Sequence, residues 1–297
     1  MSDIIDRKRG CLYGLAVGDS LGMAVEFQSP GEFEPVTDFR SGGPFGLNAG
    51  DFTDDTSLAL ALAHSIGKGW DLNDQAKEYL LWWQTGKHSV NGTCFDIGCT
   101  TSTSLSKFEE TGDAWNCADK DAENSGNGSI MRLAPVPIKY HNLDRKELAI
   151  KARESSLVTH ASEQCLSACE YLATVLAALI NGQSKEDALN IKFTGLDPLV
   201  QKWIVDEKKY TKLNPPEIKG SGWVIKSLEA ALWAFYRSNS FEEAVLCAVN
   251  LGDDSDSTGA VCGQLAGAHW GESGIPKKWL EKLARKDMIE DALKALE

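Results

Sequence analysis

Residues 223–236, WVIKSLEAALWAFY, carry apolar side chains at Trp223, Ile225, Leu228, Ala231, Leu232, Phe235 and Tyr236. Steps of three and four residues trace one face of a helix, because a turn takes 3.6 residues. The rhythm returns at Leu166, Cys169, Leu172, Ala173, Leu176 and Ile180. Shorter helices fit residues 57–66, 74–83, 145–154, 241–250 and two segments beyond Pro276. Alternation of period two is confined to Val136–Tyr140, the one strand the pattern predicts. No Pro/Ser-rich linker interrupts the series, so residues 1–297 read as a single all-α domain.

Composition narrows the partners. The 297 residues are 42% apolar and 25% charged, the balance of a soluble globular domain. Acidic residues outnumber basic ones 43 to 30, a net charge of −13. That excludes the basic face a nucleic-acid binder presents and disfavours an anionic membrane surface. The longest apolar run, Tyr171–Ile180, is half of the ~20 residues that span a bilayer, and the first ten residues lack a signal-peptide core. Eight cysteines without CxxC spacing suit buried thiols and a cytoplasmic location. Cys165 and Cys169 fall within an apolar helical pattern, as core residues do.

Two glycine series have a fixed step of four: Gly10, Gly14, Gly18, Gly22 and Gly259, Gly263, Gly267, Gly271. On a helix each series forms a shallow groove along one face. Each glycine costs ~1 kcal/mol relative to alanine in a helix interior. The pattern therefore predicts two helices, 10–25 and 258–271, packed closely groove to groove.

Each glycine helix is associated with an acidic cluster. Asp51-Phe52-Thr53-Asp54-Asp55-Thr56 precedes one apolar helix, and Asp253-Asp254-Ser255-Asp256-Ser257-Thr258 leads into the second glycine series. Helix capping accounts for one or two such side chains per helix. Three carboxylates within a few residues repel one another and raise each other's pKa unless a cation joins them. Carboxylate and hydroxyl oxygens are the ligands hard cations such as Mg²⁺, Mn²⁺ or Ca²⁺ take, and two clusters can build a two-metal centre. Asp96, in a Gly/Thr loop at 91–101, is either a helix cap or a site acid. Ser125-Gly126-Asn127-Gly128-Ser129 is either an ordinary turn or a loop whose N–H groups cradle phosphate. His160, ahead of a long helix, is either structural or catalytic.

In combination these segments resemble the ADP-ribosylglycohydrolases, the group that includes the dinitrogenase reductase-activating glycohydrolases and the vertebrate ADP-ribosyl-arginine hydrolases. The resemblance rests on GCLYGLAVGDSLGMAVEF (10–27), GDFTDDTSLALALA (50–63), FDIGCTT (95–101), GNGSIMRLAPV (126–136), THASEQC (159–165) and GDDSDSTGAVCGQLAGAHWG (252–271). It implies an all-α, multi-helix orthogonal bundle with a di-metal cleft holding two Mg²⁺, for which Mn²⁺ can substitute. Thr53, Asp54, Asp55, Asp254, Asp256 and Ser257 are the implied metal ligands. Asp96 and Glu26 are implied as catalytic acids, with Asp54 and Asp55 also in the catalytic set. Asn127, Gly128, Ser129 and His160 are implied to line the phosphate and ribose pocket, and Trp223 to stack on the adenine.

The expected reaction is release of ADP-ribose from a modified protein side chain. Arginine is the expected linkage, because Asp96 and the Asp256-Ser257-Thr258-Gly259 ending follow the arginine-directed pattern. The expected partner is thus an arginine-linked ADP-ribosylated protein. Two other roles suit the same fold: a non-hydrolytic ADP-ribose-binding module, and an immunity-like protein that occludes an ADP-ribosyltransferase. Residues 33–48 match no motif and read as a lid or a partner-binding loop.

Overall fold

The computed structural model describes residues 3–297. Fourteen α-helices follow in order: α1 (Asp3–Gly22), α2 (Asp54–Lys68), α3 (Leu72–Thr85), α4 (Cys99–Thr111), α5 (Pro135–Tyr140), α6 (Arg145–Leu157) and α7 (Glu163–Ile180) come first. Then come α8 (Lys185–Leu189), α9 (Pro198–Val200), α10 (Val224–Arg237), α11 (Phe241–Val249), α12 (Ser255–Trp270), α13 (Lys277–Lys282) and α14 (Lys286–Ala295). Among the described residues there is no strand, only isolated bridges at Gly42–Leu47 and Gly126–Trp223.

The centre of the molecule is the pair α1 and α12. They run antiparallel, with Gly10 against Gly267, Gly14 against Gly263 and Gly18 against Gly259. A β-carbon on Gly14 would lie 2.2 Å from the Gly263 carbonyl oxygen, and one on Gly267 1.8 Å from the Gly10 carbonyl oxygen. Only glycine permits backbones this close, which is the physical reason for the repeat. Gly22 completes the first series against Ser255 and Asp256, so the end of α1 meets the acidic start of α12. The helices begin earlier than the sequence pattern marks, at residues 3 and 255, and the first ends at Gly22.

Around this pair pack α7, α10 and α11, each with a buried apolar face. By length and apolar content α7 satisfies the requirement for a membrane span, which a run counted only from Tyr171 does not. Within the fold 83% of it is buried, and Ser162 caps its N-terminus by accepting from the Cys165 amide. Cys165 and Cys169 are core residues, as their spacing predicts.

The strand expected at Val136–Tyr140 is instead the helix α5. Pro135 occupies its first position, where a fixed φ suits a helix start. Val136, Pro137 and Ile138 are all buried, so the apparent alternation never marked an inner and an outer face. The 33–48 segment is tied down rather than free. Asn250 bonds both the Val36 amide and carbonyl, Asp38 accepts from the Trp279 indole at 2.9 Å, and Phe45 packs on Phe95 with ring centroids 5.3 Å apart.

Candidate active site and metal centre

The two acidic clusters meet where the α1–α12 ladder ends. Asp54 and Asp55 occupy the first turn of α2, and Asp256 the first turn of α12. Capping does not use them at α2. Thr53, the N-cap, makes no side-chain capping bond. Its amide donates to Asp19 of α1 at 2.9 Å, and Thr56 donates to the same carboxylate through its amide at 3.0 Å and its hydroxyl at 2.6 Å. Asp19 therefore satisfies the start of α2 from another helix and leaves Asp54 and Asp55 free for chemistry. Sequence reading missed this role. The residue is one polar position in a glycine helix, and its target lies thirty-four residues away.

The clusters are stitched together directly. Thr53 donates its hydroxyl to Asp256 at 3.1 Å, and Ser257 donates to Asp55 at 3.2 Å. Asn127 donates its side-chain amide to Asp254 at 2.8 Å, tying the glycine loop to the second cluster. Two sets of carboxylates each bring oxygens within 4.8 Å of one another: Asp54, Asp55 and Asp256, and Glu26, Asp96 and Asp256. Asp256 belongs to both. The reading of Glu26 and Asp96 as acids apart from the ligand set is thus joined by a second capacity, since their oxygens, like those of Asp54 and Asp55, lie within 4.8 Å of Asp256.

Asp96 does not cap α4; Gly98 is the N-cap. Its φ of +61° is unusual for a residue with a β-carbon and turns the loop toward the cleft. Burial first, then the charge of Asp254, pushes the Asp96 carboxyl up to about 7. Burial, then Asp256 and Asp96, pushes Glu26 up to about 11. Burial and mutual repulsion move Asp54, Asp55 and Asp256 well above the usual range. Glu26 Oε2 and Asp55 Oδ2 are buried without a hydrogen-bond partner. Among the described residues no lysine or arginine lines the cavity. Crowded carboxylates with orphaned oxygens and no basic partner fit a hard divalent cation, which supplies the missing positive charge.

The cavity itself has a volume of about 220 Å³. Glu26, Asp54, Asp96, Asp254, Asp256 and Ser257 form its acidic floor, and Gly126, Asn127, Gly128 and His160 form an adjoining wall, joined to it by the Asn127–Asp254 bond. Phe27, two-thirds exposed, stands at its edge with φ +62°. Thr53 and Asp55 lie just beneath the floor, fully buried. Glycine is required at 128, where a β-carbon would lie 2.6 Å from the His160 ring; at Gly126 it would lie at 3.2 Å. Burial and the nearby Arg132 charge lower the His160 pKa to about 3, so the imidazole is neutral.

Ser129 and Trp223 are not at the cavity wall. Ser129 is buried and accepts a hydrogen bond from Cys169 Sγ at 3.4 Å. Trp223 donates its indole N–H to Gln164 at 2.7 Å and meets Trp203 edge-on, with ring centroids 5.7 Å apart. Its backbone is closer to the site: the Asn127 amide donates to Gly222, and the Val224 amide to Ser125, pinning the glycine loop to the start of α10.

Comparison with known proteins agrees with this geometry. The chain is 41% identical over 289 residues to the ADP-ribosylarginine hydrolase Tri1 of Pseudomonas putida (strain GB-1), covering 96% of this chain and 76% of that protein. It is 29% identical over 308 residues to the ADP-ribosyl-[dinitrogen reductase] glycohydrolase of Rhodospirillum rubrum, covering 98% and 96%. A solved structure described as an ADP-ribosylglycohydrolase-related protein complex superposes with a TM-score of 0.88 at 38% identity, covering 100% of this chain and 98% of that one. The sequence pattern of the ADP-ribosylglycohydrolases matches residues 1–297. This chain belongs to the ADP-ribosylglycohydrolase family.

Proposed function

We propose that the protein hydrolyses the N-glycosidic bond between ADP-ribose and arginine on a modified protein, with two Mg²⁺ as cofactors. The observation that carries this reading is the pair of carboxylate sets sharing Asp256 on the floor of one cavity. Thr53, Asp54, Asp55, Asp254, Asp256 and Ser257 would hold the ions, with Glu26 and Asp96 within reach of the same cluster. Bound there, Mg²⁺ supplies Lewis acidity and lowers the pKa of coordinated water. Arginine as the linkage is supported by the similarity to two proteins named ADP-ribosylarginine hydrolase, at 41% and 38% identity.

The chain's own groups divide the remaining work. Guanidine is a poor leaving group until protonated, and the anomeric carbon gains positive charge as the bond breaks. A carboxyl titrating near neutrality can deliver that proton and, once ionised, stabilise the developing charge. Asp96 lines the cleft and is placed for this role, and Glu26 stands next to it as the alternative. Asn127, Gly128 and His160 adjoin the acidic floor and would hold the oxygen-rich ADP-ribose without basic side chains. Ser129 supports that wall from behind, and Trp223 would reach the adenine only along the rim beyond it. Eight free thiols, five of them buried, suit a reducing cytoplasm.

The test is incubation with ADP-ribosyl-arginine and ADP-ribosyl-serine peptides, with and without Mg²⁺. Release from arginine alone, dependent on Mg²⁺, is expected. Cleavage of serine peptides alone would reject the arginine linkage, and full activity in EDTA would reject the metal centre.

A further inference from the structure

Arg132 is one of the largest fully buried side chains in the protein, and no carboxylate pairs with it among the described residues. Its guanidinium lies over the Tyr79 ring, 4.3 Å from the centroid, and its Nη1 has no hydrogen-bond partner. A buried, unpaired cation is costly, so its one directed bond calls for a reason. That bond is donated by Nη2 to Thr159 Oγ1 at 2.6 Å. The same hydroxyl lies 2.8 Å from His160 Nδ1.

Proton accounting along this chain leaves one arrangement. Arginine only donates, so Thr159 Oγ1 accepts from it. The hydroxyl has one proton of its own and is fully buried. His160 Nδ1 is the only acceptor in reach of it among the described residues. If Nδ1 bore a proton instead, the hydroxyl would accept twice and its own proton would be buried without a partner, at the full cost of desolvation. Thr159 therefore donates to Nδ1, and the ring proton sits on Nε2. The positive charge of Arg132 nearby opposes a second ring proton. Nε2 makes no hydrogen bond to protein among the described residues, and it lies on the Gly126–Gly128 side of the ring, at the cavity wall.

We propose that Arg132 and Thr159 are positioning residues that lock His160 in its neutral Nε2–H tautomer, making it an obligate hydrogen-bond donor to an acceptor oxygen of the ligand in the cleft. The consequence for binding rests on ADP-ribose being that ligand; the lock itself does not. An imidazole free to switch tautomer would turn a lone pair toward an anionic ligand in part of the population. The locked ring offers only N–H, which lets an acidic protein receive an oxygen-rich anion without a lysine or arginine in the cavity lining.

The experiment is ¹⁵N correlation NMR of the histidine rings in the full-length protein, with His160 assigned by His160→Gln, alongside calorimetric titration with ADP-ribose. In the wild type Nε2 should be the protonated nitrogen at pH 7. Thr159→Val should yield mixed tautomers and weaken ADP-ribose binding about tenfold, and Thr159→Ser should restore both. A wild-type ring protonated on Nδ1, or on both nitrogens, overturns the proposal even if Thr159→Val fails to fold. So does a Thr159→Val protein that keeps a pure Nε2–H ring, or one whose tautomers mix while its ADP-ribose affinity is unchanged. If the wild type binds no ADP-ribose, the functional reading fails, and the wild-type tautomer decides the lock alone.

Discussion

Asp19 on α1 accepts the Thr56 hydroxyl at 2.6 Å and the Thr56 amide at 3.0 Å, so one helix of the central pair caps the helix that carries Asp54 and Asp55. Asp19→Asn would remove the charge and leave the Thr53 and Thr56 donors a single neutral acceptor oxygen, with an N–H turned toward the Thr53 amide. Mg²⁺ affinity should fall ~10–100-fold, as it does when the groups that orient metal ligands are lost. Thr56→Val removes one charged hydrogen bond and should cost ~1.5–3 kcal/mol of stability. Calorimetric metal titration and denaturant melts measure the two effects. Unchanged metal affinity in Asp19→Asn would separate the cap from the site.

Gly18→Ala should destabilise by ~3 kcal/mol, the upper end for overpacking. Its β-carbon would meet the Gly259 carbonyl oxygen at 2.0 Å, and a backbone atom has no rotamer by which to move aside. Gly98→Ala has nothing within 4 Å and should cost no more than ~1 kcal/mol, the usual penalty for alanine at a helix N-cap. Equal melting curves for the two variants would show that the helices tolerate separation.

Asp256→Asn should lose more metal than Asp54→Asn. Asp256 is common to both carboxylate sets, while Asp54 belongs to one. Titration with Mn²⁺, read by calorimetry, should show both binding events weakened in the first variant and one in the second. EDTA should abolish hydrolysis in the wild type, and Mg²⁺ should restore it. Identical metal stoichiometry in the two variants would contradict the shared position.

Asp96→Ala should lower kcat on ADP-ribosyl-arginine by ~10²–10⁴, as for other positioned acids and bases. The Kd for free ADP-ribose should hardly change, because a carboxylate gains nothing from a diphosphate. Near-normal turnover in Asp96→Ala would transfer the acid role to Glu26.

Glu78 contributes to the acid limb of stability, away from the site. Burial disfavours its charge, yet hydrogen bonds from His88, Lys68 and Lys87 outweigh burial and hold the carboxyl well below the usual range. A depressed folded pKa adds stability that is complete above the unfolded value of ~4.3 and is lost as pH falls from there toward the folded value. Glu78→Gln should therefore have a lower Tm than the wild type at pH 7, and the gap should close below pH ~4. A gap independent of pH would mean that the carboxylate contributes through shape alone.

Much of this protein is written locally in its sequence. The 3.6-residue rhythm of Trp223–Tyr236 and Leu166–Ile180 needs no partner to be seen, and both segments are helices. The four-residue glycine step announces a close helix pair, because nothing else compensates for that many glycines in two helices. The runs at 53–55 and 254–257 announce an acidic cluster that could hold a cation, because adjacent carboxylates repel at any fold. What the tertiary structure decided depends on distance between chain positions. Val136, Pro137 and Ile138 are buried side by side in a helix, which alternation cannot encode. Asp19 reaches Thr56, Asp256 joins two carboxylate sets, and Arg132 reaches Thr159 beside His160 only once the helices have packed. A hydrogen bond selects its partner by position to within a few tenths of an ångström, and that position is a property of the folded chain rather than of any window along it.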